Sequence, residues 1–252
     1  MTSDGYSIGT IPVTGCMTDR LTLTASVPPD QVPAIIERDR VIMAARPGMH
    51  LKLLPLLMPD ANTVLSGGAY LFDTIDNAGR FEAWVLNEFE LDGVLFPDRP
   101  MFQECSSKVW EVIAAENFQD MHTQQGLMRI EEWRFNGDLD QESLEDTWPS
   151  IRGKAIDTNL SSAWLLSNVD RGEISTVTTM PSASASGDSP QPDIDGLMKL
   201  AALPSIGAEL ETAGVEKIFD RTSFIYTVWF PVTQGGNGKL PLFPNSPPFP
   251  AP

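Results

Sequence analysis

Cysteine and histidine are scarce in this chain. Only Cys16 and Cys105 occur among 252 residues, without a C-x-x-C pair, and there are two histidines. Isolated thiols of this kind predict ordinary reduced cysteines, with a single disulfide or a catalytic thiol as the alternatives. So few soft ligands disfavour a metal cluster, and a haem protein would need His50 or His122 as its axial ligand.

Several common motifs are also missing. The chain has no G-x-G-x-x-G, P-loop, H-E-x-x-H or G-x-S-x-G sequence, so the chemistries that these motifs carry are not predicted. The acidic residues at positions 138–145 are reminiscent of a calcium loop, but Ser143 stands where that loop needs glycine. Helix capping is the preferred interpretation of this run, and we expect no metal and no cofactor.

Long apolar runs and positive charge are lacking too. No apolar run reaches membrane-spanning length, and residues 1–20 show no signal peptide, which predicts a cytoplasmic location. The 17 lysines and arginines stand against 34 aspartates and glutamates, giving a net charge of −17. Nucleic acid and anionic membranes would repel such a chain, so neither is an expected partner. Solubility is the simplest explanation of the acidity.

What the chain does contain is a regular order of elements centred on residues 46–72. Arg46-Pro47-Gly48 ends one helix, and the polar residues 59–63 separate two apolar strands as a hairpin would. The following helix has apolar residues four apart. The predicted elements are strand Leu21–Val27, helix Gln31–Ala45, strands Met49–Leu57 and Val64–Phe72, helix Asp76–Phe89 and strand Lys108–Ala115.

The second half repeats this order as a pattern rather than by residue identity. Its predicted elements are strand Gly126–Phe135, helix Ser143–Asp157, strands Leu160–Leu166 and Glu173–Met180, a helical region Asp193–Ala213 and a strand within Glu216–Val232. Each βαββαβ unit leaves one sheet face bare. We therefore predict an α+β fold of two tandem ferredoxin-like units whose antiparallel sheets face each other to form an α/β barrel.

Three domains follow from this order: residues 1–118, residues 119–232 and a Pro-rich strap at residues 233–252. The strap contains large apolar side chains, which a purely disordered tail should lack. We expect it to pack on the body or on a neighbouring subunit, so a homo-oligomer is one prediction. The strap's apolar residues are Leu240, Leu242, Phe243 and Phe249.

The first half resembles the YdhR-like monooxygenase family of the dimeric α/β-barrel superfamily. The resemblance covers roughly residues 20–118 and rests on four features: Arg46-Pro47-Gly48, the run Ser66–Asp73, the helix with Ala78 and Phe81, and the closing strand Lys108–Val112. It implies a pocket for a small, largely apolar molecule, between sheet and helices or inside the barrel. Relatives include cofactor-independent monooxygenases acting on polycyclic phenols, and others that bind haem or isomerise and cleave small aromatics.

Two groups of residues could carry chemistry. His50 begins the second strand and is expected to share a face with Lys52, as a base or proton shuttle, or simply as an exposed histidine. On strand Gly126–Phe135, alternation predicts that Met128 and Ile130 face the helices. Arg129, Glu131 and Trp133 would then point into the barrel. Arg129 would hold an anionic or carbonyl oxygen, Glu131 would orient it or act as base, and Trp133 would form the wall. The alternative is a structural ion pair with a packing tryptophan.

Aromatic side chains on the predicted elements could together form the wall of a pocket for a flat guest, although each alone is better explained as part of the core. The sequence therefore favours a cofactor-independent monooxygenase acting on an aromatic or polyketide-like substrate. The alternatives are a lyase or isomerase on a small aromatic compound, or a non-catalytic small-molecule binding protein. The predicted substrate-binding residues are Lys52, Tyr70, Trp84, Trp133, Trp164 and Tyr226.

Overall fold

The structure, a computed structural model, describes residues 8–24, 39, 42–43, 46–60, 63–119, 126–135, 141–181, 203–210 and 215–229. The strands are β1 (Gly9–Thr10), β2 (Gly15–Leu23), β3 (Met49–Asp60), β4 (Thr63–Phe72), β5 (Glu90–Leu91), β6 (Val94–Leu95), β7 (Phe102–Asn117), β8 (Gly126–Phe135), β9 (Ser162–Asn168), β10 (Glu173–Pro181) and β11 (Val215–Trp229). The helices are α1 (Ile75–Asn87) and α2 (Gln141–Asp157).

Each half of the chain builds a four-stranded antiparallel sheet with the same internal order. In the first half the strands lie side by side as β7-β2-β4-β3, and in the second half as β11-β8-β10-β9. In both, the first strand lies between the fourth and the third, as in ferredoxin-like units. The predicted helix Gln31–Ala45 and region Asp193–Ala213 lie mostly outside the described residues.

The two sheets join at both edges into one closed barrel. Strand β11 pairs with β3, and β7 pairs with β9, both antiparallel. Eight strands therefore close on themselves, which leaves none of the eight with an open edge. The predicted fold class is confirmed. The domain boundaries and oligomeric state stay predictions, and residues 233–252 of the predicted strap lie outside the described residues.

The apolar core that both halves share fills the barrel. It combines side chains from both sheets, with Trp110 and Trp164 fully buried among Leu53, Leu71 and Ile130. Alternation along each strand aims one set of side chains at this core and the other at the helix layers. The two halves therefore cover each other's inner faces.

Each sheet carries a second apolar cluster on its outer face. In the first half, Phe81 and Val85 of α1 pack against β2, β3 and β4. In the second half, Leu144 and Ile151 of α2 pack around Trp133 of β8. Helix α1 begins after Thr74, whose side chain accepts a hydrogen bond from the Asn77 N–H at 3.2 Å and caps the helix start.

The first strand begins earlier than predicted. Leu21–Val27 was expected as the strand and residues 1–20 as an irregular arm, but β2 already starts at Gly15 and residues 25–27 lie outside the described residues. The prediction was wrong because β2 carries polar residues on both faces. Asp19 points to the helix layer and Arg20 to the barrel, so no apolar alternation marks the segment.

Among the described residues, no helix is both long and apolar enough to cross a membrane.

Candidate functional site

Three titratable side chains meet on the helix-facing side of the first sheet. The Tyr70 hydroxyl donates a 2.8 Å hydrogen bond to Asp19 Oδ2. The Lys52 ammonium lies 4.4 Å from the centre of the Tyr70 ring. All three are at most 4% exposed, so the group lies out of contact with bulk water. We call Asp19, Lys52 and Tyr70 the buried triad.

Two glycines make room for the buried triad. Asp19 lies opposite Gly68 in the β2–β4 ladder. A Cβ at Gly68 would come within 2.2 Å of the Tyr70 ring, and one at Gly67 would come within 2.2 Å of the Asp19 carbonyl oxygen. Gly67 also adopts φ +147°, which other residues avoid. The Gly67-Gly68 pair thus allows the ring to lie back along the sheet and reach Asp19.

Burial shifts the pKa of every member of the buried triad. It lowers the pKa of Lys52 to about 7, although the charges of Asp19 and Asp39 oppose the shift. Burial also raises the pKa of Asp19, opposed by the Lys52 charge and by the Tyr70 hydrogen bond. The pKa of Tyr70 is raised well above its usual value by burial and by Asp19. Lys52 is therefore an amine that can lose its proton near neutral pH.

A second set of contacts surrounds the triad. The Lys52 Nζ lies 3.1 Å from the Met43 sulfur. Nearby, Arg99 pairs with Asp39 at 2.6 Å, and both side chains are at most 9% exposed. These residues come from the segment before β3 and from the loop before β7. The triad is thus held by contacts from several parts of the first half.

Of the predicted site residues in the first half, the structure brings Lys52 and Tyr70 together, whereas His50 is not part of the buried triad. A register irregularity between Met49 and Leu51 interrupts the alternation, so His50 and Lys52 do not follow the simple period of two. His50 is half-buried, which lowers its pKa, while Asp73 opposes the shift. A catalytic role for His50 stays a prediction.

Trp84 belongs to an aromatic chain on the outer side of the same layer. The Tyr70 ring contacts Phe81 at a centroid distance of 5.3 Å, and Phe81 contacts Trp84 at 5.9 Å. The Arg46 guanidinium stacks 3.4 Å above Trp84. Trp84 therefore connects to the triad through one intervening ring, and substrate binding by Trp84 stays a prediction.

The predicted orientation of β8 was wrong. Met128 and Ile130 lie in the barrel core, and Trp133 packs in the helix-side cluster, so Arg129 and Glu131 also face outward. The error has a physical cause: both faces of β8 are buried, and we assigned its Met128–Ile130 face to the helix layer, whereas the closed barrel holds it. Catalytic roles for Arg129 and Glu131 stay predictions.

The outward-facing pair takes part in an ion-pair network beneath the second helix layer. Arg129 contacts Asp220 through two nitrogens, at 2.8 and 2.7 Å, and lies 3.0 Å from Glu131. It also donates to the Leu203 carbonyl. Lys217 completes the network with a 3.1 Å contact to Glu131. The structural ion pair that we gave as the alternative describes these contacts.

The other predicted binding residues lie in separate compartments. Trp164 is inside the barrel, where its indole N–H donates to the Ser162 hydroxyl at 2.8 Å. Trp133 is fully buried on the opposite face of the second sheet. The side chain of Tyr226 lies outside the described residues. A single pocket lined by all six predicted residues is therefore not formed by the residues described.

The barrel contains a charged group that the sequence did not reveal. Glu132 is fully buried and pairs with Arg20 and, at 2.8 Å, with Lys108. Lys108 also contacts Glu173 at 2.6 Å, and Glu173 contacts Arg134 at 2.7 Å. We call these five residues the barrel charge network.

Sequence reasoning therefore missed two sets of residues, Asp19 in the triad and the barrel charge network. No local signal pointed to Asp19, because its position opposite Gly68 is set by the pairing of β2 with β4. No local signal pointed to Glu132 either. Among the described residues, no cluster of three or more histidine, cysteine or carboxylate side chains could hold a metal ion.

Two solved structures have a similar fold. One is a putative monooxygenase from Lactobacillus acidophilus NCFM, with a TM-score of 0.50, 10% identity, and coverage of 86% of this chain and 96% of that one. The other is an anthrone oxidase-like protein, with a TM-score of 0.52, 10% identity, and coverage of 86% and 93%. No protein-family model and no curated protein matches the sequence. At this identity the similarity is one of fold.

Proposed function

We propose that this protein is a monooxygenase-type enzyme that oxidises a small aromatic or polyketide-like molecule without a cofactor, with Lys52 as its base. The observation that carries the proposal is the buried contact of Lys52 with Tyr70 and Asp19, in which burial lowers the pKa of Lys52 to about 7. A general base is most effective when its pKa lies near the working pH. Perturbed titratable groups of this kind concentrate at functional sites.

The chemistry requires only a base, a dry site and O₂. The neutral Lys52 amine removes a proton from an activated CH₂ group flanked by aromatic rings, leaving a carbanion. The carbanion transfers its electrons to O₂ and forms a C–O bond, and the resulting peroxide anion takes up a proton. Loss of water breaks the O–O bond and leaves a ketone, so R₂CH₂ and O₂ become R₂C=O and H₂O. Exclusion of water protects the carbanion until O₂ arrives.

The remaining triad members position and tune the base. Burial favours the neutral forms of Tyr70 and Lys52, while the Tyr70 hydroxyl fixes Asp19 by its 2.8 Å hydrogen bond. Asp19 in turn acts on Lys52 electrostatically and prevents its pKa from falling further. The buried triad thus keeps the pKa of the Lys52 amine close to physiological pH.

The comparisons support this choice of reaction without fixing the substrate. The two structures of similar fold are described as a putative monooxygenase and an anthrone oxidase-like protein. Anthrone has a CH₂ group between aromatic rings, which makes it a suitable first substrate for the chemistry above. Membership of the YdhR-like family stays a prediction that agrees with this proposal.

A non-catalytic binding protein is the second candidate, and one observation favours it. The barrel interior is packed with the protein's own side chains, including the fully buried Trp110 and Trp164. A lyase or isomerase would use the same Lys52 base but would consume no oxygen. The three functions therefore differ in whether the protein consumes oxygen and whether it converts its ligand.

The test is oxygen consumption by the metal-free purified protein with anthrone as substrate. We expect O₂ uptake above the uncatalysed rate, one ketone formed per O₂, and incorporation of one atom of labelled O₂ into the product. Conversion without O₂ uptake would support the lyase or isomerase. Saturable anthrone binding without conversion would support the binding protein and contradict the proposed enzyme.

A further inference from the structure

A cavity of about 520 Å³ lies at one end of the barrel. Leu57, Leu65 and Phe219 form apolar parts of its wall, and the guanidinium groups of Arg20 and Arg221 also line it. These residues come from four different strands of both halves. The cavity is therefore a product of barrel closure, and neither half alone could form it.

The two arginines converge on one aromatic ring. The guanidinium carbon of Arg20 lies 3.5 Å from the centre of the Phe219 ring, and that of Arg221 lies 5.5 Å from the same centre. Burial lowers the pKa of Arg221 to about 10, and the charge of Arg20 contributes to the decrease. The charges of Asp19 and Glu132 oppose this decrease and so compensate part of the repulsion between the arginines, which a bound anion would compensate further.

Four cations and four carboxylates meet at this end of the barrel, because Glu104 and Asp220 line the cavity beside the barrel charge network. The barrel charge network has three cations and two carboxylates, and Arg221 adds a fourth cation. Arg221 donates to the Ser66 carbonyl oxygen at 3.1 Å, and no carboxylate of the described residues lies within 4.0 Å of its nitrogens.

We propose that this cavity binds a small organic carboxylate with an aromatic or branched apolar body. The planar carboxylate would accept hydrogen bonds from Arg20 and Arg221, for which guanidinium groups are well suited. The apolar body would pack on Phe219, Leu57 and Leu65. The site is distinct from the buried triad, because Asp19 and Arg20 are adjacent on β2 and point to opposite faces of the sheet.

Benzoate is the probe, with benzyl alcohol as its neutral counterpart, and isothermal titration calorimetry is the measurement. We expect saturable benzoate binding and at least tenfold weaker binding of benzyl alcohol. Arg221→Gln should weaken benzoate binding by about tenfold or more, the factor expected for one charge-assisted contact. The matched control Arg152→Gln, on the outside of α2, should leave it unchanged.

A second pair of variants does not depend on replacing a buried residue. Glu104 is exposed, lines the cavity and accepts a 3.5 Å hydrogen bond from Thr22, so its charge opposes an incoming anion. Glu104→Gln should tighten benzoate binding several-fold, whereas Glu145→Gln on α2, with the same change in net charge, should not. Equal binding of benzoate and benzyl alcohol, or no response to both Arg221→Gln and Glu104→Gln, would overturn the proposal.

Discussion

The Tyr70 hydroxyl donates a 2.8 Å hydrogen bond to Asp19 Oδ2, although the two residues are 51 positions apart in the chain. Both side chains are buried between the first sheet and its helix layer. The bond joins neighbouring strands β2 and β4 at the position where Gly67 and Gly68 leave space. It fixes the electrostatic environment of Lys52, on which the proposed chemistry depends.

Removing this hydrogen bond should destabilise the protein. Tyr70→Phe leaves a buried Asp19 oxygen without its donor, which should lower the free energy of unfolding by about 1–3 kcal/mol. In a double-mutant cycle with Asp19→Asn, we expect a coupling energy of about 0.5–3 kcal/mol by urea denaturation. Strictly additive single-variant effects would show that the two side chains do not interact.

The close approach of Tyr70 to Gly68 predicts a steric effect. Gly68→Ala would place a Cβ 2.2 Å from the Tyr70 ring, so the ring must move away from Asp19. We expect a lower melting temperature and reduced oxygen uptake with anthrone. Gly79→Ala is the matched control, since no atom lies within 4 Å of its added Cβ.

That control should stabilise helix α1 by about 0.5–1 kcal/mol, the usual gain when alanine replaces a helical glycine. If Gly68→Ala behaves like Gly79→Ala in both the thermal melt and the activity assay, the ring does not need the space that Gly68 provides.

The order of strands and helices could be predicted because each element carries a local signal. Pro47-Gly48 marks the entry to β3, and the four-residue spacing of Phe81 and Val85 marks α1. A ferredoxin-like sheet has one bare face, so two such units in one chain imply that they cover each other. The barrel followed from that requirement.

The site could be predicted only in part, because alternation gives two faces without saying which is inside. Met128 and Ile130 mark an apolar face of β8, and this face lies inside the closed barrel, whereas we expected it to contact the helices. The partner of Tyr70 was missed because a strand aspartate looks like a solvent-exposed residue until its position opposite Gly68 is known. Such pairings between distant strands are set by topology rather than by local sequence.

The central carboxylate of the barrel charge network should be essential for stability. Glu132 is fully buried and contacts both Arg20 and Lys108, so Glu132→Gln leaves two cations with reduced compensation. We expect a loss of about 3–5 kcal/mol in the free energy of unfolding.

Glu116→Gln is the comparison variant, because Glu116 pairs with Arg152, whose side chain is 45% exposed. That change should cost no more than about 1 kcal/mol, as for most surface ion pairs. Equal costs of the two variants in urea denaturation would contradict the assigned burial of Glu132.

The buried amine predicts a pH-dependent stability difference. The pKa of Lys52 is about 7 in the folded protein against an ordinary value of 10.5. The unfolded chain therefore binds more protons between these values, and the wild-type free energy of unfolding rises with pH across this window. Lys52→Met lacks this contribution, so its advantage in melting temperature should be largest below pH 7 and should shrink toward pH 10.5.

Melting temperatures at pH about 6, below the window of the shift, and at about 9.5, near its upper end, are sufficient to measure the effect. Lys154→Met on α2 serves as the control, and its difference from wild type should show no comparable decrease. A Lys52→Met difference that stays constant with pH would mean that the folded-state pKa of Lys52 is not lowered.

The most direct test of the proposed mechanism is the pH dependence of oxygen uptake with anthrone, measured per folded molecule for wild type and Lys52→Met. Because the neutral amine is the base, the wild-type rate should rise with pH through a single inflection near 7, the pKa of Lys52. Lys52→Met should lose this inflection and fall to the uncatalysed rate while remaining folded. A folded Lys52→Met protein that retains both the wild-type rate and its inflection would contradict the assignment of Lys52 as the base.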